Sequence, residues 1–360
     1  MTGWRLEPRP APSAVFSSAV TVLSLLAALA IGGALMAVME VNPFAAYYEI
    51  LRGSLGSWYG FSETVVKAVP ITLAGLACVL PFKAAVWNIG AEGQLVAGAL
   101  ASVAFVRYCP GSGSAAMIAG MFLASSAAGG IWSAIPGFLK GKWGVNEIIS
   151  TLMMNYVALC LMDFLLYGAW KDPMSMGFPM TAPFPESARL WVFGRTRLHG
   201  GLILALILPV AAWFALRRSQ WGFEIRVIGE NARAARYAGI GITKNIAAVM
   251  LVSGAIAGLC GMSEIAGLHG RLSRGFSVGY GFTGVIVAWL SGLNVLALPF
   301  AAFLMGMLLV GGETLQVVMS LPLSSVQVIQ GLILFCVLGG EVLRDYRLRG
   351  PRAARPEEAE

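Results

Sequence analysis

Few residues in this chain have the type and spacing for chemistry, and their arrangement excludes most of it. His199 and His269 stand alone, with no second metal ligand in reach along the sequence. The five cysteines, Cys78, Cys109, Cys160, Cys260 and Cys336, are scattered mostly through apolar runs and read as packing residues. No Gly-x-x-x-x-Gly-Lys-Ser/Thr phosphate loop occurs. The nearest string, GFLKGKW (137–143), lacks both the spacing and the hydroxyl, so the chain is not expected to hydrolyse ATP itself. What remains are amides and carboxylates set among apolar residues. Asn88, Glu92 and Gln94 lie in NIGAEGQ (88–94), and Glu147, Ser150, Thr151 and Asn155 fall within roughly 140° of arc at a helical 100° per residue. Such groups can orient a polar solute or hydrogen-bond one helix to another. They form neither a catalytic triad nor a metal site.

The elements that must position them are membrane helices. Of 360 residues, 58% are hydrophobic and 12% charged, against about 25% charged in soluble domains. The apolar residues come in runs near the ~20 needed to cross a bilayer. Ten spans are predicted, at 15–38, 63–82, 86–106, 114–139, 146–167, 199–216, 245–266, 281–292, 295–312 and 323–340. The eighth is short for a straight crossing, so a broken or re-entrant segment is expected there. The first is too long for a removable signal peptide and reads as a retained helix. With the N-terminus inside, most of the 25 lysines and arginines fall on the cytoplasmic side: Arg5, Arg9, Lys83, Lys140, Lys142, the cluster Arg217 to Lys244, and the tail from Arg344 to Arg355. The net charge of +7 therefore reflects topology rather than nucleic-acid binding. The fold class expected is an all-α polytopic membrane protein with both termini cytoplasmic. It comprises an N-terminal segment at 1–14, a transmembrane domain at 15–343 and a disordered tail at 344–360.

Two readings of NIGAEGQ stand side by side. Gly90 and Gly93 allow a broken helix, with Asn88, Glu92 and Gln94 satisfying loosened amides or facing a polar path. Alternatively the segment is a cytoplasmic turn and a helix start, capped by Asn88 with Glu92 at its positive end. Either way it lies at the inner end of a span. Asn155 has the same two readings, pathway or interhelical bond. Glu63 and Lys67, four apart, are expected to pair locally. Glu147 reads as a helix-end residue after Asn146, Glu264 as the partner of Arg271 or Arg274, and Glu313 as a solvated rim residue. Gly254, Gly258 and Gly261 share a face suited to close helix packing. In 40–62, Phe44, Tyr47, Tyr48, Leu51 and Trp58 suggest a helix lying in the membrane interface.

The longest cytoplasmic loop, 217–244, predicts a two-turn helix from the Asn231 cap to Gly239. A helix that short is marginal alone and must dock on something. Ala234, Ala235 and Ala238 offer a small-residue face, with Arg233 and Arg236 alongside.

NIGAEGQ, VNEIISTLMMNYVA (145–158) and GENARAARYAGI (229–240), in that order, resemble the membrane subunit of an ABC importer. The family is the one that includes ribose, branched-chain amino acid and nucleoside permeases. The likeness runs from about residue 40 to 343 and is strongest to the longer of two paired permeases in nucleoside-type systems. It implies a multi-pass protein of a bacterial-type cytoplasmic (inner) membrane, surrounded by membrane lipid. It also implies a partner ATPase using ATP and magnesium, a second permease subunit, an external solute-binding lipoprotein and no cofactor on this chain. It casts Gly229, Glu230, Asn231, Ala234, Ala235, Ala238 and Gly239 as the coupling element seated in the ATPase. Ala232 stands where many relatives carry proline, and Trp87 where phenylalanine often precedes NIG. The pathway candidates are then Trp87, Asn88, Glu92, Gln94 and Asn155. The expected function is inward transport of a small polar solute, a nucleoside or related compound, with a sugar as the alternative. A self-sufficient ion-coupled transporter working through Glu92 or Glu264 and a channel-like facilitator are the readings from other classes.

Overall fold

The computed structural model describes residues 5–8, 14–111 and 113–349. Among them are thirteen α-helices and one two-stranded ribbon, β1 (Arg5–Pro8) antiparallel to β2 (Tyr346–Arg349). The chain forms two compact units. One, within Met1–Tyr47 and Met319–Glu360, is built on α1 (Ala14–Val38), the first turns of α2 (Pro43–Leu55) and α13 (Leu323–Asp345). There Gly32 lies against Ile329, Gly340 against Ser24, and the Tyr47 hydroxyl donates to the Leu29 carbonyl at 2.5 Å. Most of the expected cytoplasmic ends lie outside the described residues. The part of the tail that is described departs from expectation: α13 runs on to Asp345, and residues 346–349 form β2.

The second unit, Tyr48–Val318, holds the remaining elements. In chain order they are α3 (Trp58–Phe82), α4 (Ala91–Tyr108), α5 (Ser114–Trp143), α6 (Glu147–Tyr167), α7 (Gly201–Arg218), α8 (Gln220–Glu230), α9 (Ala232–Tyr237), α10 (Ile242–Glu264), α11 (Tyr280–Leu290) and α12 (Leu298–Met319). Six helices are by themselves long and apolar enough to cross a bilayer: α3, α5, α6, α7, α12, and α10 with the π turn Ile265–His269 that extends it. The protein is a multi-pass helical membrane protein. Each of the ten predicted segments coincides with a helix, but one differs in a way that matters: residues 86–90 are not helical, so the third segment begins at Ala91. The eighth is short, as expected, with 11 residues in α11. The exposed Phe44 (86%) and Trp58 (70%) at and near α2 fit an interfacial position.

The core of this unit is a crossing of backbones. A Cβ on Gly258 of α10 would strike the Ser125 carbonyl of α5, and one on Gly254 the Gly129 carbonyl. A Cβ on Gly261 would strike the Leu95 carbonyl of α4, and one on Gly98 would strike Gly258 itself. In lipid, where burying apolar surface between helices gains little, such close approach is what holds helices together.

The loop before α7 is stitched to the chain after α10. Thr181 and Phe184 donate their amides to Leu272 and Gly270, and Leu190 to Ala266, at 2.9, 2.7 and 3.0 Å. Ion pairs at this end overturn two expectations. Glu63 binds Arg197 (3.1 Å) and Lys67 binds Glu313 (3.0 Å), so the i, i+4 pair does not form; Glu313 is exposed, as expected, with Lys67 as its partner. Arg274 binds Asp163 (3.4 Å), while the Arg271 guanidinium reaches the Met180 sulfur. Glu264 instead faces His269 at 3.8 Å, and both its oxygens are buried without a hydrogen-bond donor.

Gly258→Val should lower the thermal midpoint of the detergent-solubilised protein, because the added carbons meet backbone rather than a movable side chain. Overpacking costs about 1–3 kcal/mol or more. Gly331→Ala, with nothing within 4 Å of the new carbon, should leave the midpoint unchanged or raise it slightly.

Candidate functional site

The site is a break between α3 and α4. Helix α3 ends at Phe82, and the chain reverses through Ala85, whose φ of +54° is left-handed. It then runs irregularly through Trp87, Asn88 and Ile89 to Gly90. Gly90 occupies the N-cap position of α4 and supplies no side-chain bond. Buried backbone groups without partners are costly, so side chains must meet them.

Asn88, fully buried, is the centre of that arrangement. Its amide nitrogen donates to Gln94 Oε1 (3.1 Å) and to the Ser253 hydroxyl of α10 (2.9 Å). Its oxygen accepts from Gln94 Nε2 (2.9 Å) and from the Gly90 amide (3.0 Å). Asn155, on α6, holds the other side: its Oδ1 accepts from the Gly93 amide at 2.8 Å and its Nδ2 donates to the Ile89 carbonyl at 2.9 Å. Thr151, one turn earlier, accepts from the Ile89 amide at 3.3 Å. The stripe Glu147–Thr151–Asn155 is thus buried against the break. Glu147 lies at its foot, bound to Lys140 at 2.7 Å, while the Asn146 side chain does the capping of α6.

Glu92 joins two helix starts. It lies in the first turn of α4, and its oxygens accept from the Ser277 hydroxyl (2.5 Å) and the Gly281 amide (2.7 Å). Gly281 is in the first turn of α11, whose own N-cap, Gly279, has no side chain to offer. The carboxylate therefore satisfies a free amide at one positive helix end while lying in another. A Cβ on Gly281 would collide with the Glu92 backbone, so glycine is what lets the two ends meet.

Trp87 differs from the other four pathway candidates. It keeps 37% of its surface exposed, whereas Asn88, Glu92, Gln94 and Asn155 are at most 4% exposed. Its ring stacks on Trp289 at the end of α11 (centroids 5.5 Å, 27° between planes) and packs on Phe82 at 5.2 Å. The Trp289 indole N–H is buried without an acceptor. Trp289, Phe82 and Ser253, in three different apolar segments, and Ser277, in the connection before α11, were not legible as site residues, since each is joined to the break only by the fold.

The basic loop contains an unforeseen helix. Residues expected to be irregular form α8, capped by the Ser219 hydroxyl (3.0 Å from the Gly222 amide), so Gly229 and Glu230 are its last turn. Gly229 presses on the Lys83 carbonyl, where a Cβ would not fit. Asn231 caps α9 as expected, accepting from the amides of Arg233 (3.0 Å) and Ala234 (3.1 Å). Gly239 closes it with φ +77°, its amide donating to Arg236 and that of Ile240 to Ala235. The three alanines do not form one outward face. Ala235 is fully buried in this chain, about 100° round the helix from Ala234 and about 60° from Ala238, both of which are exposed. Tyr237 projects outward at 94% exposure.

Residues 60–338 match the family model of the branched-chain amino acid transport system permease component. The chain is similar to the glucose ABC transporter permease protein TsgB13 of Haloferax volcanii, 37% identical over 96% of this chain and 93% of that protein. It is also similar to the guanosine ABC transporter permease protein NupP of Bacillus subtilis (33%, 90% and 94%) and the nucleoside permease NupB of Lactococcus lactis (28%, 88% and 90%). The first two organisms each supply a second match, the putative glucose permease TsgC13 and the guanosine permease NupQ. With helices to cross a bilayer, a braced break and a capped loop helix in place, the chain belongs to this family: it is the membrane-spanning permease component of an ABC transporter, with the ATPase on a separate subunit.

Proposed function

We propose that this permease imports a nucleoside-type solute across the inner (cytoplasmic) membrane. In this reading ten segments span the bilayer, both termini are cytoplasmic, and the basic loop 217–244 faces the cytoplasm. Partners are a second permease, an ATPase and an external binding protein. The paired names NupP with NupQ and TsgB13 with TsgC13 support a second permease. The observation that carries the reading is α9: a capped six-residue helix, anchored inward by Ala235, that presents Ala234, Tyr237 and Ala238 with no cover from its own chain. Beside it a cavity of about 540 Å³ opens between α8 and the 238–245 turn, suited to an ATPase element entering alongside. Gly229 on Lys83 then links that helix to the break.

The solute surface is assigned to the aromatic face of Trp87 and Trp289, and the buried amides Asn88, Gln94 and Asn155 to holding it in shape. A flat, partly exposed π face suits a nucleobase, since stacking of a base on an aromatic side chain contributes about 1–3 kcal/mol. A sugar is the second reading, favoured by the glucose permease named among the relatives. Stacking predicts that Trp87→Ala raises the KM for guanosine uptake about fivefold or more with unchanged thermal stability, and that Trp87→Phe largely restores it. Asn155→Leu should instead lower stability, because the Gly93 amide and Ile89 carbonyl are each left unpaired at about 1–3 kcal/mol. Normal KM in Trp87→Ala would remove that residue from the path.

Reconstituted with its partners, the chain should take up radiolabelled guanosine only with ATP, and guanosine in preference to glucose. Alone in liposomes it should show no uptake under a proton or sodium gradient. Gradient-driven uptake by the chain alone would end the importer reading, and preference for glucose would select the sugar reading.

Ala238→Trp, at an exposed position, should leave membrane insertion and stability intact yet weaken ATPase co-purification about fivefold or more, the equivalent of a 1–3 kcal/mol overpacking cost. Ala235→Trp overfills the chain's own interior and should also lower the thermal midpoint. Equal ATPase recovery from wild type and Ala238→Trp membranes would mean that α9 is not the coupling element.

A further inference from the structure

A cavity of about 310 Å³ lies between the last turn of α7, α8, Lys83 and the turn at 292–295. Three cations line it, Lys83, Arg217 and Arg226, and no carboxylate does. None of the three forms an ion pair among the described residues. Two are held in place without being neutralised: the Arg226 guanidinium donates to the Leu216 carbonyl, and that of Arg217 lies over the Trp213 ring, 5.6 Å from its centroid. Burial, and then the nearby Arg226 charge, push the Lys83 ammonium below the ordinary lysine range. That is the behaviour of a cation set beside another with no counter-ion.

The surroundings say what form the anion takes. Leu206, Val210 and Phe214, 56%, 56% and 62% exposed, run along α7 at helical spacing and end one turn before Arg217. An apolar stripe ending in a cationic pocket has the order of a phospholipid, acyl chain first and phosphate last. Free phosphate would use the cations and ignore the stripe.

We propose that this cavity seats the headgroup phosphate of an anionic phospholipid among Lys83, Arg217 and Arg226, with its acyl chains along the Leu206–Val210–Phe214 face. The site adjoins the coupling path. Arg226 faces the cavity, and one turn on along α8, Gly229 rests on the Lys83 carbonyl before the chain enters α9 at Asn231. A bound phosphate shared by Lys83 and Arg226 fastens α8 to the end of α3 where their charges otherwise repel.

The test is lipid retention by the full chain. Purified in detergent, the protein is incubated with mixed phosphatidylcholine and phosphatidylglycerol, passed over a sizing column, and its remaining lipid measured by mass spectrometry. Wild type should retain phosphatidylglycerol selectively. Lys83→Gln and Arg217→Gln should each reduce that selectivity about fivefold, the effect of one basic residue near an anionic headgroup. Arg218→Gln removes the same charge from the neighbouring residue, which does not line the cavity, and should leave retention intact. Arg217 is exposed, so its variant carries the test should Lys83→Gln not fold. Equal retention of the two lipids, or equal loss in Arg218→Gln, would overturn the proposal. So would inorganic phosphate raising the thermal midpoint of the lipid-stripped chain as much as phosphatidylglycerol does.

Discussion

A backbone interrupted inside apolar surroundings must find other partners for its amides and carbonyls, and the second unit of this protein is organised around that requirement. Between Phe82 and Ala91 the chain leaves the helix while Ala84, Val86, Asn88 and Gly90 stay buried, and α11 begins nearby at a glycine with no cap of its own. Backbone groups there are met by side chains: Asn155 and Thr151 from α6 bind the Gly93 and Ile89 amides, Asn88 the Gly90 amide, and Glu92 of α4 the Gly281 amide, while Ser253 of α10 holds Asn88 itself. The polar residues of an otherwise apolar protein are therefore concentrated where the backbone is irregular. Their immediate role is structural, which is why so few of them reach a surface.

This changes where selectivity should be sought. A polar residue in a membrane segment invites assignment to the solute path, but an amide whose donors and acceptors are already taken has nothing left to offer a passing molecule. Trp87 keeps part of its ring face exposed, and it stacks on Trp289 beside the break that the amides maintain. In the function proposed above, recognition falls to the aromatic residues, while the hydrogen bonds of the amides hold the break in shape.

Much of this was legible in the sequence. NIGAEGQ marked the inner end of a span, either as a broken helix or as a turn and helix start, Asn231 and Gly239 bracketed a short helix, and Gly254, Gly258 and Gly261 declared a packing face. The start of α4 was misplaced because Asn88 looks like an ordinary cap, whereas its side chain turns back to Gln94 and across to Ser253. Helix α8 was not foreseen within the loop 217–244. The signals for it were Ser219 as a cap and Ile225 and Ile228, three apart and both buried. Ion pairs were the least legible. Glu63 prefers Arg197, 134 residues away, to Lys67 four residues on, and spacing along one helix carries no information about a loop that folds over it. The outward Tyr237 was passed over because attention to alanine spacing favoured a single small face.

The glycine crossing of α4, α5 and α10 has a mechanical consequence. Helices separated by side chains can slide past one another, each knob stepping to the next hole, and such shear is a common route to domain rearrangement. Where main chain rests on main chain, as at Gly98, Gly129, Gly258 and Gly261, a step of one turn would drive side chains through the space where backbones touch. Rotation about the contact meets no such obstacle. The crossing is thus a pivot: it forbids translation of these three helices along one another and leaves rocking as the motion open to them. Any conformational cycle of this unit must be built from small angles magnified by helix length.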